Sequence, residues 1–380
     1  MIIFILLFVV IYGGMHLYIY LKAKTAFNMN MKWRVFVMLF LVSMTFSPIA
    51  ARMFDKNGLE CISRLLSYAG FFWMAFLFLF FSISLVFDLY YLINLMIGLM
   101  LKKSFALYIV TSKISFYISS VLSILIIIYG YFEAKNIEVN KVEIYSPKIH
   151  TANGEIRIVQ ISDIHLGMMV NEKRLRIIIE KVKEQNPDVL VSTGDLVDSN
   201  MKYLNGLEKL FAEINPKYGK YAVTGNHEFY AGLEEAIRFT EMSGFKLLRG
   251  EGKTVKGVFN IAGVDDRAGK MHGGVVEVSE KDILKDLPKE KFTVLLKHTP
   301  IIDKEAIGLY DLQLSGHTHS GQIFPFSLIT RLVFPLKPAV LHRVGTSYFY
   351  LNRGTGTWGP PVRFLARPEI TVFDIKAKKD

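Results

Sequence analysis

Residues 155–165 read EIRIVQISDIH, and how this stretch is read decides the fold. Ile156, Ile158, Val159 and Ile161 make an apolar run interrupted only by Arg157 and Gln160, the pattern of a strand buried on both faces. The polar group Ser162-Asp163-Ile164-His165 follows where that strand should end. The arrangement recurs downstream. Val189–Val191 leads into Thr193-Gly194-Asp195 and then Asp198, and Tyr221–Val223 leads into Gly225-Asn226-His227-Glu228. Phe292–Leu296 leads into Lys297-His298, and Leu312–Leu314 into Gly316-His317-Thr318-His319. Five of the nine histidines fall in these five segments. Between the strands, Leu175, Ile177, Ile178, Ile179 and Val182 recur at helical spacing until Pro187, and Leu207–Ile214 predicts a further helix. Other strands are predicted at Val142–Tyr145, Phe245–Leu248 and Val258–Val264. Strands alternating with helices predict an α/β domain with parallel pairing, whose ligands belong at the carboxyl ends of the strands.

Composition divides the 380 residues near Glu133. Residues 1–133 hold 10 of the 45 Lys/Arg and 4 of the 34 Asp/Glu, so the net charge of +11 separates into +6 and +5. With 51% hydrophobic residues and a mean hydropathy of +0.31, the chain is neither disordered nor a purely soluble globule. The +5 is spread over a long polar region, so no nucleic-acid partner is expected. The single cysteine, Cys61, cannot make an internal disulfide. The organisation predicted is a transmembrane anchor of about four helices over 1–133, a linker and first strand over 134–154, and the α/β domain over 155–380.

The apolar third offers spans at Met1–Leu21, Val35–Ala50 (ended by Pro48), Leu65–Leu101 and Phe105–Phe132. No basic residue precedes the first, so it lacks the start of a cleavable signal peptide. The third is interrupted only by Asp88 and reads either as one span with a helical extension or as a hairpin, which would make five spans. Asp88 itself is either a functional residue or a helix-boundary residue. Lys22, Lys24, Lys32, Arg34, Lys102 and Lys103 flank one side, against Arg52, Lys56 and Arg64 on the other. By the enrichment of Lys and Arg in cytoplasmic loops, four spans leave both termini and the polar region outside the cytoplasm. The protein is therefore expected to be an integral membrane protein with its polar domain extracytoplasmic.

The strand-end residues are chosen for metal chemistry. Asp163 and His165, two apart in extended chain, would project to the same side and grip one ion. His317 and His319 could do likewise, or turn toward two ions where Gly316 and Gly321 break the strand. Asp195 has two oxygens with which to bridge cations, beside a glycine that admits close backbone approach. Asn226 adds a neutral oxygen. Carboxylate, imidazole and amide oxygen together suit divalent first-row metals rather than copper(I) or an iron–sulfur cluster. Taken singly, each motif also reads as a turn, a cap or a satisfied core histidine; five in order at the ends of apolar strands favour one site.

The ordered set Asp163-x-His165, Gly194-Asp195-x-x-Asp198, Gly225-Asn226-His227-Glu228, His298 and Gly316-His317-x-His319 resembles the signature of the calcineurin-like metallophosphoesterases over about residues 155–322. The closing segment, Asn352-Arg353-Gly354 through Arg363-Phe364 to Arg367-Pro368-Glu369-Ile370, is similar to that of a bacterial, membrane-associated or exported branch. The resemblance implies a sandwich of two mixed sheets flanked by helices, with two divalent ions (Mn, Fe, Zn, Co or Ni) at the strand ends. It assigns Asp163, His165, Asp195 and His319 to one ion, and Asp195, Asn226, His298 and His317 to the other. His227 becomes the acid near the leaving group, with Asp198 and Glu228 orienting the imidazoles. The implied reaction is hydrolysis of a phosphate ester or pyrophosphate by a hydroxide bridging the two ions.

A tethered domain of this kind is expected in a bacterial plasma membrane, acting on a phosphorylated small molecule or, by preference, a lipid-linked or envelope substrate. The alternative is a regulatory or scaffold membrane protein that keeps the fold and the metals without turnover. Ile323–Phe334 is too short and too interrupted by Pro325 and Arg331 to span a bilayer. It reads either as an apolar lip beside the metals or as a hairpin of the sheet core.

Overall fold

The structure is a computed structural model and describes residues 2–102, 110–151, 153–198 and 200–378, with side chains from residue 10 onward. It separates into two units, Met1–Phe132 with Gly359–Val362 and Glu133–Trp358 with Arg363–Asp380.

In the second unit, the strands are β1 (Glu138–Ser146), β2 (Glu155–Ile161), β3 (Val189–Ser192), β4 (Lys220–Ala222), β5 (Phe245–Leu247), β6 (Glu251–Val255), β7 (Phe259–Gly263), β8 (Thr293–Leu296), β9 (Leu312–Ser315), β10 (Leu341–Val344), β11 (Ser347–Leu351) and β12 (Glu369–Ala377). They form two six-stranded sheets, in the orders β1-β12-β2-β3-β4-β5 and β10-β11-β9-β8-β7-β6. Parallel pairing runs through β2-β3-β4-β5 and through β7-β8-β9-β11, as strands joined by helices require. Both sheets are nonetheless mixed, because β12 runs antiparallel to β2, β6 to β7 and β10 to β11.

Burial on both faces explains why 155–161 is nearly all apolar. Ile156 and Ile158 pack with Val189 and Val191 against Ile261 and Val294 in the core between the sheets. Val159, Ile161 and Leu190 turn to the other face. There the helix α5, numbered after four helices of the first unit described below, spans Glu172–Glu184 and buries Leu175, Ile178, Ile179 and Val182. Asn171 caps its start, its side chain accepting from the N–H groups of Lys173 (3.1 Å) and Arg174 (3.5 Å). The remaining helices are α6 (Glu208–Ala212), α7 (Asn226–Ala231), α8 (Leu233–Met242), α9 (Gly269–His272), α10 (Glu280–Leu284) and α11 (Phe326–Val333). The stretch 323–334 thus forms no hairpin of the sheet core. Its i, i+4 apolar pairs are satisfied by a helix, and α11 buries none of its residues.

In the first unit the helices are α1 (Ile2–Phe27), α2 (Met31–Lys56), α3 (Glu60–Leu101) and α4 (Ser112–Lys135, whose last residues belong to the second unit). Among the described residues, α2, α3 and α4 are long and apolar enough to cross a membrane. Phe36, Leu39, Val42 and Phe46 of α2 are exposed, an arrangement suited to lipid rather than water. The third apolar stretch is one continuous helix of 42 residues, not a hairpin. Pro48 does not end the second span; α2 continues through it to Lys56. Proline removes the N–H that would have bonded the Met44 carbonyl, and the Ser47 hydroxyl takes that carbonyl instead at 2.9 Å. Asp88 is paired inside this unit, accepting from Tyr18 Oη at 2.5 Å and forming an ion pair with Lys22. The start of the fourth predicted span, at Phe105, and Lys103 lie outside the described residues.

Candidate metal centre

Each predicted site residue stands beyond the carboxyl end of a strand, on a turn or at the start of a helix. Asp163 and His165 follow β2, Asp195 and Asp198 follow β3, and Asn226, His227 and Glu228 open α7 after β4. His298 follows β8, and His317 and His319 follow β9. Asp163, His165, Asp195, His317 and His319 all have φ between +48° and +76°. The pairs Asp163/His165 and His317/His319 therefore do not converge by extended-strand alternation; left-handed turns aim them. Gly194, at φ +94°, lies so close to the centre that a Cβ there would come 2.8 Å from His298 Nδ1 and 2.6 Å from the Gly225 nitrogen.

The side chains gather into neighbouring groups of potential ligands. Asp163, His165 and His319 form one, and Asp195, His298 and His317 another; His165, Asp195 and His227 bridge them. In the first, His165 Nε2 lies 2.9 Å from His319 Nε2, which is 3.6 Å from Asp163 Oδ1. In the second, Asn226 Oδ1 sits 3.1 Å from His298 Nε2 and 3.0 Å from His317 Nδ1. Asp195 Oδ2 reaches both, at 3.7 Å from His165 Nε2 and 3.3 Å from His298 Nε2. His298 is oriented from behind by the Thr193 carbonyl, 2.8 Å from Nδ1, which leaves Nε2 facing the centre.

Electrostatics keep most of these imidazoles neutral. Burial, reinforced by neighbouring histidines, pushes His165 down to about 3 and His317 to about 4. Burial and the Arg363 guanidinium hold His319 well below its ordinary value. Burial would also depress His298, but the facing Asp195 carboxylate raises it. The same pairing holds Asp195 well below the carboxylate range against its own burial. Asp163 is raised to about 6, mainly by burial. Buried imidazoles, most of them neutral, whose nitrogens approach one another at about 3 Å beside carboxylates fit a cationic guest, which both kinds of donor would bind. His165 Nδ1 is also buried without a hydrogen-bond partner among the described residues.

His227 stands at the edge of the cluster. Its Nδ1 lies 3.1 Å from Asp198 Oδ1 and 3.1 Å from the Asp198 carbonyl, and its ring meets His165 edge-on at 4.5 Å. Burial opposes its charge, yet Asp195 and Asp198 together raise it to about 9. Asp198 thus meets an imidazole, whereas Glu228 bonds to backbone amides. Glu228 accepts from the N–H groups of Asp195 (3.0 Å), Gly225 (2.6 Å), Leu196 (2.8 Å) and Val197 (3.4 Å), joining two ligand-bearing turns.

Sequence reasoning missed one contributor. Arg363 is fully buried, its Nη2 is 3.0 Å from His319 Nδ1, and its Nη1 donates to the carbonyls of Arg353 (2.8 Å), Ala366 (3.1 Å) and His319 (3.1 Å). Burial pushes it down to about 9. A lone basic residue between Val362 and Phe364 was the available signal.

Two mixed sheets with a carboxylate, imidazole and amide cluster at their strand ends define a metallohydrolase sandwich. A profile of the calcineurin-like phosphoesterase family matches residues 156–321. A metallophosphoesterase of Aquifex aeolicus is 40% identical over 258 residues, covering 68% of this chain and 98% of that one. One of Campylobacter jejuni is 35% identical over 251 residues, covering 64% of this chain and 65% of that one. A Danio rerio transmembrane protein with metallophosphoesterase domain is 32% identical over 272 residues, covering 67% and 61%. The chain thus spans under two thirds of the length of the last two relatives. Among solved structures, Haemophilus influenzae NAD nucleotidase aligns with a TM-score of 0.36 and 16% identity, over 53% of this chain and 45% of that one. The chain belongs to the calcineurin-like phosphoesterase family.

Proposed function

We propose that the protein is a membrane-anchored phosphoesterase that uses two divalent ions to hydrolyse a phosphate ester or pyrophosphate, by preference on a lipid-linked or envelope substrate. The carrying observation is that two groups of mostly buried donors meet at Asp195, with His227 beside them, its ring held by Asp198. Asp163, His165, Asp195 and His319 would hold one ion; Asp195, Asn226, His298 and His317 the other. Bound there, the ions would supply Lewis acidity, neutralising phosphate oxygens and making water a nucleophile at neutral pH. Their identity lies among Mn, Fe, Zn, Co and Ni.

The remaining work falls to the chain itself. With Nδ1 committed to Asp198, Nε2 of His227 is the atom that donates a proton to the leaving oxygen. Asp198 fixes the ring and favours its protonated form, so that the proton is available near neutral pH. Glu228 and Arg363 position the ligand-bearing turns through amides and carbonyls rather than touching substrate. The membrane-length helices support a tether, and the preference for a lipid-linked substrate follows from it. The basic loops favour a bacterial plasma-membrane protein with its metal centre outside the cytoplasm.

The test is hydrolysis of aryl phosphate mono- and diesters by the purified full-length protein with Mn²⁺. His227→Ala should slow turnover about 10²-fold or more while metal content, measured by elemental analysis, stays near wild type. Full turnover in that variant would remove His227 from the reaction. Metal loading without any hydrolysis would leave a scaffold.

A further inference from the structure

A surface helix ordinarily turns its apolar stripe inward. α11 does the reverse. Ser327 and Thr330 face the domain and line a small hollow with Thr318, Ser320 and Leu351. Leu328, Ile329, Leu332 and Val333, at i, i+1, i+4 and i+5, stand out into the surroundings, Leu332 being 85% exposed. An outward apolar face on a helix of this kind calls for an apolar medium or partner.

Charge selects which. From Leu312 to Pro368 the chain has no Asp or Glu and six Lys or Arg. Arg353 is engaged with Glu138 and Glu369, and Arg363 with buried carbonyls. Arg331, Lys337, Arg343 and Arg367 are exposed. An outward apolar helix with basic flanks and no acids has the composition of a segment lying in an anionic bilayer surface. The same chain carries helices long and apolar enough to cross a membrane.

Position ties this surface to the metal centre. The Phe334 ring, at the end of α11, meets the His317 ring edge-on at 5.8 Å. Trp358, itself 54% exposed, exchanges hydrogen bonds of 2.8 and 2.9 Å with Gln322 and lies 6.1 Å from the His227 ring. Tryptophan is enriched where protein meets lipid headgroups.

We propose that α11 and Trp358 form a membrane-docking lip. Leu328, Ile329, Leu332 and Val333 enter the acyl boundary of an anionic leaflet, and the four exposed basic residues bind lipid phosphates. A phosphate group carried by a lipid then meets the centre between His317 and His227. The role in substrate delivery rests on the phosphoesterase reading above, but docking is measured without turnover, so either can fail alone.

The experiment uses the full-length protein with Cys61→Ser, reconstituted in lipid nanodiscs. An environment-sensitive nitrobenzoxadiazole probe is attached at Leu332→Cys, or at Met242→Cys on α8 as a control that is also exposed. In phosphatidylglycerol discs the Leu332→Cys probe should shift to the blue. Doxyl lipids should quench it about threefold or more, as a depth of roughly 5–10 Å in the headgroup and acyl boundary requires. The Met242→Cys probe should stay solvated, and adding Arg331→Glu with Lys337→Glu should weaken the quenching. A solvated, unquenched Leu332→Cys probe overturns the proposal. So does a blue-shifted probe indifferent to doxyl lipid, which would mean that a second copy or another protein covers the helix. Equal quenching at Met242→Cys overturns it as well.

Discussion

At the scale of the residue, the centre is assembled from backbone conformations that side chains other than glycine normally avoid. Asp163, His165, Asp195, His317 and His319 each hold a left-handed φ, at a typical cost of about 1 kcal/mol or more per residue. Those costs are tolerated because the turns are tied on both sides: Asp163 accepts from the His317 N–H at 2.9 Å, and His165 N–H donates to the Asp195 carbonyl at 3.0 Å. Away from the centre, a different buried charge makes stability depend on pH. Lys220 on β4 is 7% exposed and donates to the Phe211 carbonyl at 2.7 Å, and burial pushes its ammonium down to about 8. A lysine with a lowered pKa binds its proton less tightly in the folded chain. Its charge therefore costs stability in full below pH 8, and the cost is relieved as pH climbs from 8 toward the ordinary 10.5. Chemical denaturation should show wild-type stability rising relative to Lys220→Met by on the order of 1 kcal/mol or more across that window. Parallel pH profiles for the two proteins would remove Lys220 as the cause.

At the scale of the element, α5 covers the face of β2 and β3 opposite the sheet interface. Its start depends on Asn171, whose side chain meets two amide groups that the helix itself cannot satisfy. Asn171→Ala should cost about 1 kcal/mol in the unfolding of the α/β unit, with Asn171→Asp close to wild type. An unchanged midpoint in the alanine variant would mean that burial of Leu175 and Ile178 alone sets where the helix begins. The strands carrying the centre were legible in the sequence because each is a short apolar run that stops at a polar motif. The helix pattern of Leu175 through Val182 was legible for the same reason. What escaped has local physical causes. β11 pairs in parallel with β9 and β12 lies between β1 and β2, contacts far apart in sequence, and β12 inserts antiparallel to β2, which no local pattern announces. Pro48 carried a stop signal that the Ser47 hydroxyl cancels. Extended geometry was assumed for Asp163-x-His165, because nothing in Asp, Ile or His alone foretells a left-handed turn. Arg363 was invisible as a positioning group because burial, not residue type, gives it that role.

At the scale of the whole molecule, the candidate metal ligands all lie in the polar unit, and the question of sidedness falls to the helices. Lys22, Lys24, Lys32 and Arg34 cluster around the junction of α1 and α2, and Lys102 and Lys103 follow α3 in sequence. The junction of α2 and α3 carries Arg52, Lys56 and Arg64. The difference of six against three is small, and on the proposed four-span reading it predicts a testable alternation: α1–α2 and α3–α4 junctions inside, the α2–α3 junction outside, and the polar region on the same side as the latter. α3 is continuous, so it does not form the hairpin that a fifth span would need. Cys61, the sole cysteine, lies exposed in the first turn of α3 and so reports on the α2–α3 junction without any engineering. In intact cells, a membrane-impermeant maleimide should label the full-length protein at Cys61, and protease added outside should reach the polar unit. Labelling only after the membrane is opened would place both on the cytoplasmic face. The accessible substrates would then be cytoplasmic phosphate esters and inner-leaflet lipids, not envelope precursors exposed outside. Labelling of Cys61 without protease access to the polar unit would contradict the four-span alternation itself, since the two regions are separated by two crossings and must share a side.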